Sequence, residues 1–139
     1  MRYTKADLAR IQIDRAVELY LKHGDFVCAS TLAGAAEEML GNIAKAQGGE
    51  SLLDMIYSEL EDEFEKFSDL SSAVNWFRNE LKHSRDNPSL QAELEFTEAD
   101  CALLLYRTIV MFPKVANQTT PAMRQCWKYL RKNHQRLFG

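Results

Sequence analysis

Residues 97–116 read TEADCALLLYRTIVMFPKVA, and their pattern decides the fold. Thr97 followed three residues later by Asp100 is a helix-opening signature, because each side chain can bond a backbone N–H that a helix start leaves open. Cys101 to Phe112 is the longest apolar stretch in the chain, but Arg107 interrupts it and it is too short to span a bilayer. It therefore reads as a fifth helix rather than a membrane span, running to about Ala116 and kinked by Pro113. No membrane span is expected.

Outward from this segment the helical signals continue. Thr120-Pro121 opens a sixth helix to about His134, with proline at the favoured first position. Upstream, Thr4 with Asp7 caps a first helix over 5–23, in which Leu8, Ile11, Arg15 or Ala16, and Leu19 recur at helical spacing before Gly24. Asp25 caps a second helix to about Gln47, where Val27, Ala29, Ala33, Ala36, Leu40 and Ile43 permit close approach to neighbours before Gly48-Gly49. Ser51 with Asp54 opens a third, Leu52 to about Phe67, whose stripe of Leu53, Ile56, Leu60, Phe64 and Phe67 opposes the acidic Glu59, Glu61, Asp62, Glu63 and Glu65. A fourth, Leu70 to Ser84, ends before Arg85-Asp86-Asn87-Pro88. Only Phe26-Val27 and Leu94 to Phe96 hint at strand, and neither alternates for long enough. The expectation is an all-α, single up-down-type bundle of five or six helices occupying residues 1–139 as one domain.

Composition agrees with that class. The chain has 139 residues, 46% of them apolar and 27% charged, which is ordinary globular usage. Met1 to Asp7 lacks the apolar core of a secretory signal, so a cytoplasmic location is expected. Cys28, Cys101 and Cys126 are odd in number, widely spaced, and form no zinc pattern with His23, His83 and His134. They read as buried or idle thiols, and no metal or other cofactor is expected.

The net charge of −3 conceals an asymmetry. Residues 1–100 carry 10 basic and 20 acidic side chains, whereas residues 101–139 carry 7 basic and none acidic. Such a basic end marks either a nucleic-acid surface or one half of a bundle attracted to the other. In the last helix Arg124, Lys128, Arg131, Lys132 and Arg136 interleave with Trp127, Tyr129 and Phe138, a mixture able to contact phosphates and stack on unpaired bases. The alternative is that Trp127, Leu130 and Met123 pack on the bundle while the basic face stays wet.

Asn75-Trp76-Phe77-Arg78-Asn79-Glu80-Leu81-Lys82-His83 sets arginine, asparagine, lysine and histidine at the end of the fourth helix. Asn79 and His83, four apart, share a face, so Asn79 can orient the ring, and Arg78 with Lys82 forms an adjoining positive strip. Arginine grips phosphate oxygens through a fixed fork and histidine exchanges protons near neutral pH, a combination suited to phosphodiester cleavage. The alternative is structural: Trp76, Phe77 and Leu81 in the core, Arg78 and Lys82 paired with the third helix's acids, and His83 at a solvated helix end. Glu37 and Glu38 stand in a small, apolar stretch. One of them facing inward could hold Arg78 or a basic group of a second copy, although solvent exposure or structural pairing is the simpler account.

Arg78-Asn79-Glu80-Leu81-Lys82-His83 resembles the HEPN superfamily, whose ribonuclease members carry an Arg-x4-6-His motif, often with a polar residue directly after the arginine. The all-helical layout and the alanine-rich helix around Ala33-Gly34-Ala35-Ala36-Glu37-Glu38-Met39-Leu40-Gly41 are similar too. The resemblance implies a homodimer that brings two motifs into one RNA-cleaving cleft. It implies metal-independent attack by a ribose 2′-hydroxyl, leaving a cyclic phosphate, with His83 moving protons, Arg78 stabilising the charged transition state and Asn79 orienting. Lys82, Arg85, Arg124 and Lys128 would bind the RNA substrate. Such a protein would be the toxin-like half of a toxin–antitoxin or defence pair, with an antitoxin or nucleotidyltransferase as partner. Arg85 stands where members modified by a nucleotidyltransferase have a tyrosine two residues after the histidine. The alternative is a non-catalytic HEPN-like module binding RNA, nucleotide or such a partner.

Overall fold

Each α-helix among the described residues begins where a side chain can satisfy backbone donors. The computed structural model describes residues 1–64, 93 and 95–138, and within 50–64 the side chains of Met55 and Ser58 alone. Helix α1, Lys5–Glu18, starts at a full capping box: Asp7 N–H donates to Thr4 Oγ1 at 3.0 Å, and Thr4 N–H donates to the Asp7 carboxylate at 3.0 Å. The helix passes into a π turn, Leu19–His23, closed by Gly24 in the left-handed conformation (φ 62°). That backbone geometry favours glycine because a Cβ would crowd the following carbonyl.

Helix α2, Phe26–Phe64, begins at Asp25, whose Oδ1 accepts from Cys28 N–H at 3.1 Å. The two helices expected over 25–47 and 52–67 form one run, interrupted at Gly49 with φ 64° and ψ −157°, a conformation essentially confined to glycine. The break therefore falls within the Gly48-Gly49 pair that marks it in the sequence. Helix α3, Glu98–Ala116, opens with the Thr97/Asp100 capping box and continues as one helix past Pro113 to Ala116, followed by Asn117 in the left-handed region. Helix α4, Pro121–Asn133, starts at Thr120, and a 3₁₀ turn, Gln135–Phe138, ends the described chain.

Among the described residues every regular element is helical, with four α-helices and no strand, so the all-α class holds. No helix among them is long and apolar enough to cross a membrane. The fourth expected helix, Leu70 to Ser84, lies outside the described residues.

The core gathers around α3, whose residues Cys101 to Tyr106 are all buried, as are Thr108, Ile109, Met111, Phe112 and Val115. Arg107 is the break in that run. Helix α2 contributes a small-residue stripe, Ala29, Ala33, Ala36, Leu40 and Ala44, all fully buried. Small side chains let helix axes approach closely, and α1 and α3 both pack on α2. Val27, expected on that stripe, is 49% exposed, and Ile43 is half-buried.

Helix α1 is rotated from the face that its large residues suggest. Leu8 and Ile11 are exposed, at 38% and 42%, whereas Ala9, Ile13, Ala16, Val17 and Tyr20 are buried. Ala9 and Ala16 face inward because their small size admits close packing, which outweighs burial of the bulkier Leu8 and Ile11. Each fully buried aliphatic such as Ile13 contributes roughly 1.5–3 kcal/mol.

Candidate nucleic-acid interface

Helix α4 is fixed at its start by a relay through one hydroxyl. Thr120 Oγ1 accepts from Met123 N–H at 3.2 Å and donates to Asp14 Oδ1 at 2.7 Å, which ties the cap to α1. Spacings of three and four then turn Met123, Cys126 and Leu130 into the core. The same rotation leaves Arg124, Lys128, Arg131 and Lys132 exposed on the other side. Positions 124, 128, 131 and 132 follow one another at helical repeat, so they make a continuous cationic strip.

Aromatic groups border that strip. Trp127 is half-buried, stacked on Tyr106 (ring centroids 5.5 Å apart, planes at 24°), with Phe138 edge-on at 4.9 Å. The Arg131 guanidinium carbon lies 5.8 Å from the centre of the Phe138 ring, a cation–π distance. Tyr129 is 39% exposed and meets Tyr20 edge-on. The expected packing of Met123 and Leu130 and the wet basic face thus occur together.

Where α3 and α4 diverge from their connecting turn, a surface pocket of about 450 Å³ opens. Its walls are Ile109, Val110 and Pro113 from α3 and Met123 and Trp127 from α4. Thr119 closes one part, and Arg124 and Lys128 contribute the charged lining. Pro113 has no N–H to offer the Ile109 carbonyl, so this part of α3 lacks one helical bond.

Glu37 is the inward member of the Glu37-Glu38 pair. It is 3% exposed and meets Arg107 Nη2 at 2.6 Å, while Glu38 is exposed. Among the described residues its basic partner is Arg107 of α3. Arg78, Asn79, Lys82, His83 and Arg85 lie outside the described residues.

A second polar cluster, unmarked by any sequence motif, joins three distant segments. Tyr20 Oη donates to Glu98 Oε1, and His134 Nε2 lies 2.8 Å from the same oxygen and 3.4 Å from Tyr20 Oη. Burial and the neighbouring carboxylate hold the Tyr20 hydroxyl far above the usual phenol range, so it remains a donor. The cluster links the π turn after α1, the start of α3 and the residue that caps the end of α4. No local spacing connects positions 20, 98 and 134, so the sequence carries no signal for it.

Cys101 and Cys126 are buried, and loss of solvent pushes both thiols up to about 12. Cys28 is exposed, and its thiol is also raised, chiefly by a hydrogen bond to Asp25. Among the described residues no group of three or more His, Cys, Asp or Glu is placed to hold a metal ion.

Comparison of the chain with family models, with curated proteins and with solved structures gives no match.

Proposed function

We propose that the protein is a metal-independent RNA endonuclease of HEPN type, acting as a homodimer and forming the toxin-like half of a toxin–antitoxin or defence pair. The observation that carries the reading is the exposed strip Arg124, Lys128, Arg131 and Lys132 beside Trp127 and Tyr129, in a segment, residues 101–139, without a single acidic side chain. A surface of this kind neutralises phosphates, and the exposed Tyr129 ring at its border is offered to unpaired bases, as single-stranded RNA requires.

The chemistry rests on the Arg78-x4-His83 spacing. In the proposed reaction a ribose 2′-oxygen attacks the adjacent phosphorus and the bond to the 5′-oxygen breaks. The products are a 2′,3′-cyclic phosphate and a 5′-hydroxyl. His83 transfers the proton, Arg78 stabilises the charge that develops on the phosphoryl oxygens, and Asn79 orients the histidine. Lys82, Arg85, Arg124 and Lys128 hold the substrate.

The test compares the parent with His83→Ala on labelled single-stranded RNA, with folding and RNA affinity measured in parallel. The reading predicts that cleavage is lost while affinity and fold persist. Binding by both proteins with cleavage by neither would replace it with the non-catalytic module.

A further inference from the structure

The pocket between α3 and α4 combines an apolar interior with a one-signed rim. Ile109, Val110, Pro113 and Met123 supply aliphatic walls and Trp127 an aromatic one. Those five side chains carry a single hydrogen-bonding group, the indole N–H, and Thr119 adds one hydroxyl at the edge. A nucleobase seated there would lose water from its polar edges and recover little, which is costly. Large apolar side chains lose nothing of the kind, and about 450 Å³ has room for more than one of them.

Among the described residues, the charged side chains that line the pocket, Arg124 and Lys128, are both cationic. Arg124 and Lys128 are exposed, four residues apart on α4, and no acidic residue occurs anywhere in 101–139 to pair with them locally. An occupant with carboxylates flanking its apolar groups is therefore matched in sign, and one with flanking lysines is repelled. The pocket is walled by two consecutive helices, and a third helix can lay one face between such a pair.

We infer that this cleft is a docking groove for an acidic amphipathic helix of a protein partner. Apolar residues spaced i, i+3, i+4 and i+7 on that helix enter the pocket, and glutamates or aspartates on its flanks meet Arg124 and Lys128. The docking goes beyond the nuclease reading and stands without it. If that reading holds, the same helix covers two of the cations assigned to RNA, so the partner acts as an inhibitor by occupying the substrate surface.

The test uses a fluorescein-labelled, stapled peptide of about 18 residues, long enough to stay helical, with leucine and phenylalanine at the four stripe positions and glutamate on the flanks. A lysine-for-glutamate version, a version with the stripe scrambled, and a uridine-rich RNA oligomer are measured beside it. The expected result is saturable binding of the acidic peptide, weakened about tenfold or more by Arg124→Glu/Lys128→Glu and by scrambling, with no binding of the lysine version. Both substituted positions are exposed, and circular dichroism checks that the variant keeps its helix content. Amide shifts on peptide addition are expected at Val110, Met123 and the Trp127 indole.

Absence of peptide binding would overturn the inference, as would binding indifferent to the stripe or to the charge reversal. RNA-induced shifts at Val110 and the Trp127 indole, with no peptide-induced shifts there, would reassign the pocket to RNA. Cleavage assays are not needed for any of these outcomes, so failure of docking and failure of the nuclease reading are separable.

Discussion

Glu37 of α2 and Arg107 of α3, 70 residues apart in sequence, form an ion pair at 2.6 Å with side-chain exposures of 3% and 11%. The pair explains how α3, the most buried helix among the described residues, tolerates an arginine in the middle of its apolar run. Removing only one partner leaves the other charge buried, whereas replacing both with apolar residues removes the desolvation problem altogether. Glu37→Ala is expected to destabilise the fold by about 3–5 kcal/mol. Glu37→Leu/Arg107→Met is expected to recover most of that loss. Urea unfolding of the three proteins measures this, and a double variant as unstable as the single one would contradict the account.

The two buried thiols make the fold sensitive to alkali. Their folded-state pKa values, about 12, lie above the ordinary value of 9.0, so the unfolded chain ionises first as pH rises. Their contribution to stability is therefore complete below pH 9 and is lost as pH climbs from there towards 12. Melting temperatures from pH 8 to 11 should fall, and Cys101→Ala/Cys126→Ala should make the fall shallower. An unchanged slope in the double variant would show that other groups cause it.

Thiol reagents should separate the same cysteines. Cys28 is exposed and is expected to react in the native state, slowed because the hydrogen bond to Asp25 raises its thiol. Cys101 and Cys126 are expected to react roughly a hundredfold or more slowly than Cys28 until the protein unfolds. Mass spectrometry of briefly alkylated native protein checks this by the number of labels.

Glu98 holds two donors at once, Tyr20 Oη and His134 Nε2. Glu98→Ala strands both and is expected to cost about 1–3 kcal/mol, against about 1 kcal/mol for Tyr20→Phe, which removes one donor and leaves His134 bonded to the carboxylate. Since His134 anchors the 3₁₀ turn Gln135–Phe138, Glu98→Ala should also speed hydrogen exchange there. Unchanged exchange at Leu137 would mean that packing alone holds this end.

Helix starts are the most legible part of the sequence, because their causes are local. Thr4 with Asp7, Asp25, Thr97 with Asp100, and Thr120-Pro121 each place a side chain next to the donor that it satisfies. Gly49 is legible as a break for a similar reason. Helix faces are less so. Leu8 and Ile11 outweigh Ala9 in any hydrophobic pattern, yet α1 turns Ala9 inward, since fit against α2 depends on a surface outside the segment. Tertiary polar contacts are the least legible: Glu37 stands out in its apolar stretch, but nothing local ties it to Arg107, which reads only as an interruption. Of the candidate site, Arg124 and Lys128 lie together on the exposed strip of α4, and the Arg78 to His83 motif falls outside the described residues.

RNA affinity of the parent should fall with salt, because each cation that neutralises a phosphate of a single strand releases counterions. Arg124→Ala/Lys128→Ala should reduce the magnitude of the log–log slope by about 0.7 for each phosphate no longer neutralised, with little change in sequence preference. A slope that does not change would remove these two residues from the RNA surface.

The most direct measurement follows RNA chemistry at the scissile bond. Protein freed of metal with a chelator is incubated with an RNA and with the same sequence carrying 2′-deoxyribose throughout, and the product ends are identified by mass spectrometry. The account predicts cleavage of the RNA alone, leaving 2′,3′-cyclic phosphate and 5′-hydroxyl ends. Cleavage of the deoxy strand, or RNA cleavage that requires added metal, would contradict it.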